Sequence, residues 1–164
     1  MKRIQTDFIN NLGIGAFAFL SILELCGLIE YVTRNLFIVN KTDAKLILWL
    51  PEIISLIVFI ILIFWIINKY SKLTEINTRK ALIQVIGIFF GIVLLQFLFT
   101  YFGSSYLIDK YPTEFDLYIE GRKGNYILQS YIAYIPILKY LIFGTALLIK
   151  KQLPTPHIIQ RSNG

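Results

Sequence analysis

LILWLPEIISLIVFIILIFWIIN, residues 46–68, decides what kind of protein this is. Nineteen of its 23 residues are apolar, and Glu52 is its only charge. As an unbroken helix it would be about 35 Å long, enough to cross a hydrocarbon core with some tilt. No face of that helix is polar, so a soluble amphipathic helix does not fit. A membrane span does.

Working outward, three further apolar blocks complete the pattern. The sequence predicts an all-α integral membrane protein, a four-transmembrane-helix bundle with spans at about 8–31, 46–69, 81–101 and 126–149. Residues 1–151 then form one transmembrane domain, and residues 152–164 form a polar, poorly ordered tail with two prolines. The chain has 164 residues, 56% of them hydrophobic, and four spans leave no room for a second globular domain. The first block could be read as a signal peptide. Against that, its apolar pattern continues through Cys26 to Ile29, and Leu23-Glu24-Leu25 is not a small-residue cleavage site.

The connections differ in character. Residues 34–45 are short and polar, so spans one and two should form an antiparallel hairpin. Residues 72–80, KLTEINTRK, are charged, with no Gly or Pro to end a helix. Residues 103–125 are the long connection, read as an interfacial loop or as a β-hairpin in which Leu117-Tyr-Ile and Tyr126-Ile-Leu flank a Gly-rich turn. Pro136 should kink the fourth span, because proline removes a backbone hydrogen bond.

Charge sets the expected orientation. With the N-terminus inside, Lys2, Arg3, Lys69, Lys72, Arg79, Lys80, Lys150, Lys151 and Arg161 are cytoplasmic. Arg34, Lys41, Lys45, Lys110, Arg122 and Lys123 are outside. Nine against six favours both termini in the cytoplasm. The long 103–125 loop is then extracytoplasmic. Most tyrosines fall at or beyond that outer boundary, more than an aromatic belt requires, which marks the outer face as a surface for a partner or lipid headgroups. The net charge of +6 belongs to these flanks rather than to nucleic-acid binding. Ile- and Lys-rich, Ala-poor usage suggests a bacterial source, hence the cytoplasmic (inner) membrane.

Chemistry is sparse. One cysteine makes no intramolecular disulfide, and one histidine without cysteine partners makes no usual zinc site. Phosphate-binding, zincin and nucleophile-elbow motifs are absent, so no catalytic residue, cofactor or metal is assigned and an enzyme is not expected. The ionisable residues inside the spans are Glu24, Glu30, Glu52 and Lys139, each costly in hydrocarbon. Glu30 and Arg34 are spaced as an interfacial i, i+4 pair. Glu52 follows Pro51 and either caps a helix that starts there or joins a buried pair. Counting depths from the span ends puts Glu24, Glu52 and Lys139 in the same half of the bilayer. Lys139 is therefore expected to pair with Glu24 or Glu52, with Tyr131 or Tyr134 donating to the same carboxylate. Gly87 and Gly91 have the small-xxx-small spacing of a tight helix crossing. Gln84 shares their face, and Gln96 and Thr100 form a second polar edge.

Function is expected from this architecture alone. The leading expectation is a membrane accessory or interaction protein that binds a protein partner or forms a homo-oligomer among membrane lipids. An immunity factor, a complex subunit or a defence-system component would fit. The alternative is a small transporter or oligomeric pore using the intramembrane Glu and Lys. A membrane enzyme acting on a lipid or quinone comes third.

Overall fold

An apolar chain in lipid must satisfy its backbone internally, and helices do this segment by segment. The structure, a computed structural model, describes residues 2–71 and 78–152. The expected tail beyond residue 152 and most of the charged 72–80 connection lie outside them. The described chain forms α1 (Lys2–Val39), α2 (Ala44–Ser71), α3 (Thr78–Lys110), α4 (Pro112–Gly124), α5 (Tyr126–Ile132) and α6 (Ile135–Gln152), with no strand among the described residues. Among the described residues, four stretches are long and apolar enough to span a membrane: Ile9–Val39, Ala44–Asn68, Thr78–Lys110 and Tyr126–Leu148.

Two turns set the α1–α2 hairpin. α1 ends with the Thr42 N–H on the Phe37 carbonyl and the Lys41 N–H on the Ile38 carbonyl, both 3.0 Å, and with Lys41 at φ 55°. That is a Schellman motif with lysine where glycine is usual. The Lys41 side chain is used elsewhere: it pairs with Glu114 of α4 at 3.1 Å. α2 starts where the Asp43 side chain accepts the Lys45 N–H at 2.9 Å, an N-terminal cap. Pro51 therefore lies inside α2 and does not start it. The reading of Glu52 as a helix-start residue is corrected accordingly.

α1 is the helix that the others gather on, with α6 reaching it through Phe19. α1 packs along α3 on one side and α2 on the other, and α6 packs along α2. Contacts between α1 and α3 rise together in residue number, so these two run parallel. Asn10 meets Thr78 at 3.3 Å, Phe17 meets Phe89 with ring centroids 5.6 Å apart, and Tyr31 meets Ser104 at 2.9 Å. The close approach uses Gly13 and Gly27 of α1 and Gly103 of α3. A Cβ at those positions would lie 3.0 Å from Leu82, 3.2 Å from Gln96 and 3.0 Å from the Tyr31 hydroxyl, respectively. One core, Ile22, Cys26, Phe59, Ile63 and Ala146, joins α1, α2 and α6. Phe19 fills its edge, stacked on Phe143 at 4.2 Å and edge-on to Phe59. A second core, Ile38, Ile47, Leu48, Leu107 and Tyr118, closes the hairpin end.

The 103–125 connection is neither a hairpin nor an irregular loop. α3 continues to Lys110, and α4 begins with Pro112 at its first position. Glu114 in its first turn and Arg122 and Lys123 in its last complement the helix dipole. The Glu114 carboxylate accepts from its own backbone N–H and from Lys41, and both hold it below the usual carboxylate range. Gly121, read as turn chemistry, is a contact residue instead: a Cβ there would overlap the Cβ of Ala44. The fourth span is interrupted at Ala133 and Tyr134, just before Pro136, dividing it into α5 and α6.

Candidate functional site

Polar side chains meet on the shared side of α1, α2 and α6, in two levels one helical turn apart. The upper level is ionic. Arg34 Nη2 donates to Glu30 Oε1 at 2.6 Å and to Glu52 Oε1 at 3.3 Å. Glu30 and Arg34 are i, i+4 on α1, and the hairpin brings Glu52 across from α2. The lower level is Cys26, Ser55 and Lys139, which lie four, three and three residues from Glu30, Glu52 and Pro136. Lys139 Nζ donates to Ser55 Oγ at 2.7 Å. Lys139 is 6% exposed, and Cys26 and Ser55 are fully buried.

Two carboxylates and one guanidinium leave the upper level one negative charge in excess. Lys139, a turn away, makes the group neutral overall. Inside a low-dielectric bundle that balance matters, because an uncompensated ion is far more costly there than at a surface. Arg34 is 25% exposed and Glu52 12%, so the cluster is a half-buried network rather than a surface pair.

The expected pairings are not the ones formed. Among the described residues, neither Glu24 nor Glu52 comes within 4 Å of the Lys139 ammonium. Arg34 takes Glu52, and Ser55 meets the amine. Glu24 sits two residues before Cys26, about 200° around the helix from the face that Cys26 turns inward. Tyr131 and Tyr134 are 70% and 65% exposed, and neither side chain hydrogen-bonds to a carboxylate of the cluster among the described residues. A methyl group placed on Gly87 or Gly91 would meet nothing within 4 Å, so no described helix of this chain packs on that face. Gln96 instead approaches Gly27, and the Thr100 carbonyl accepts from the Tyr31 hydroxyl at 3.2 Å.

A cleft of about 340 Å³ opens onto the upper level. Arg34, Glu52, Tyr118, Arg122, Gln129 and Pro136 line it, so α4 and the α5–α6 break form its walls. Gln129 Nε2 donates to the Arg122 carbonyl, tying α5 to α4 at the rim. A larger groove of about 690 Å³ lies between α1 and α3 and is almost wholly apolar, with Tyr31, Asn35 and Tyr106 its polar members. Sequence reasoning does not single out Ser55 or Arg122. Serine inside an apolar run carries no sign, and Arg122 reads as an ordinary outer-flank charge. The i+3 spacing of Glu52 and Ser55 is the one signal that could have found the serine.

No protein-family model matches the chain, and no curated protein or solved structure shows detectable similarity to it.

Proposed function

We propose that this chain is a non-enzymatic accessory protein of the bacterial cytoplasmic membrane that works by contact with another membrane-embedded chain, a distinct subunit or a second copy. The observation that carries this is the state of α3. In its most apolar stretch no residue is buried, against 33% in α2 and 28% in α1. The ionic and polar groups of α1, α2 and α6 largely turn toward one another, whereas Gln84, Gly87 and Gly91 all lie exposed on α3. Four crossings would put both termini on one side, and the lysine and arginine distribution supports the cytoplasm as that side.

Gly91→Leu tests this. Since nothing in the described chain lies near the Gly91 methyl position, the melting temperature in detergent should stay unchanged, while native mass spectrometry should show loss of a partner or of a homo-oligomer. A wild-type chain that is monomeric and partnerless when extracted from its own membrane would overturn the reading.

Buried Lys139 supports the second reading, a small transporter or pore in which the intramembrane charges bind the transported species. In proteoliposomes, ion or small-solute flux that disappears with Lys139→Met would favour it. Flux indistinguishable from empty vesicles would remove it.

A further inference from the structure

We propose that the cleft between α1, α2, α4 and the α5–α6 break binds a small zwitterionic group that carries an oxyanion and a primary ammonium, the chemistry of a phosphoethanolamine lipid headgroup or of a free amino-bearing phosphate. This goes beyond the partner-binding reading and does not rest on it.

The cleft presents unmet hydrogen-bonding capacity of both signs. Arg34 spends only Nη2 on its two carboxylates. Its Nη1 makes none of the hydrogen bonds found among the described residues and is left for a ligand, whereas Nε is closed off inside the cluster without an acceptor. Arg122 adds a second guanidinium at the exposed rim. Both supply donors in the fork geometry that suits an oxyanion. Glu52 faces the same space with acceptor capacity to spare. Its contact with Arg34, at 3.3 Å, is long for a charge-assisted bond, whereas Glu30 holds Arg34 at 2.6 Å.

A ligand of one sign fits poorly. A simple anion meets the Glu52 carboxylate, and a simple cation meets two arginines. A zwitterion satisfies both. The volume, about 340 Å³, is at the small end of ligand sites and suits a headgroup rather than a whole lipid. Depth agrees. Arg34 lies five residues from the end of α1, about 7.5 Å along the helix, which places the cleft near headgroup level.

The experiment measures binding to the purified full-length chain in detergent, by native mass spectrometry and thermal shift. The probes are dioleoyl phosphatidylethanolamine, phosphatidylcholine and phosphatidylglycerol, with soluble phosphoethanolamine as a fourth arm. Phosphatidylethanolamine should be retained and should raise the melting temperature. Phosphatidylcholine, whose ammonium has no N–H, and phosphatidylglycerol, which has no amine, should not. Glu52→Gln and Arg122→Gln should each weaken retention about tenfold, the loss of one charge-assisted contact. Arg122→Gln tests the oxyanion half without touching the Glu30, Arg34 and Glu52 network, so it stands even if Glu52→Gln folds poorly. Phosphoethanolamine that binds with the same dependence on both residues, in preference to the lipid, assigns the site to a free ligand of this chemistry. Equal retention of all three lipids, preference for phosphatidylglycerol, or unchanged binding in Arg122→Gln would overturn the proposal.

Discussion

Arg34→Met should destabilise the protein by about 3 kcal/mol, read as a fall in the thermal unfolding midpoint in detergent. The substitution keeps the apolar stem but leaves Glu30 and Glu52 with no cation between them. Half-buried carboxylates of like sign repel, and neither keeps its charge-assisted donor. The cost should therefore come mostly from what is left behind rather than from what is removed. Adding Glu30→Gln and Glu52→Gln to Arg34→Met should recover most of the loss, since the triple variant carries no orphaned charge. A single variant that melts with the parent would mean that solvent screens the cluster and that the pair at 2.6 Å contributes little.

Gly121→Ala should cost about 1–3 kcal/mol, a large effect for one methyl group on a helix outside the spans. The new Cβ would occupy the space of the Ala44 Cβ, at the first turn of α2. α4 would have to lift, loosening Tyr118 from Ile47 and Leu48. Exchanging the two residues, Gly121→Ala with Ala44→Gly, restores the volume and should recover more than half of the loss in the same melting assay. If the single variant is neutral, or the exchange gives no recovery, the α2–α4 approach is not set by that contact.

The four spans were legible because hydropathy is a local property: residues 46–68 can be read without knowing any neighbour. Their ends were less so. Ser104, Ser105, Asp109 and Lys110 look like loop residues when the membrane is taken to stop helices, yet α3 runs through them. Nothing there breaks a helix until Pro112. α4 was hidden by its two glycines, which resemble turn chemistry when the facing Ala44 is unknown. The site was legible in its charges and not in its contacts. Lys139 and Glu52 stand out in apolar sequence, but which groups they meet depends on helix rotation and on which helices are neighbours. Neither is a property of one segment. Depth counting put Glu24 at a suitable level and could not register that it lies on the wrong side of α1.

The interruption at Ala133 and Tyr134 lies about 10 Å inside its span. Pro136 has no N–H to return to the Ile132 carbonyl, so that acceptor is left out of the helical ladder. Such backbone is tolerated in a span where it is buried in protein or lines a polar cavity, and Ile132, Ala133 and Pro136 do line the polar cleft. The proline therefore places a backbone acceptor, as well as charged side chains, on the wall of that cleft.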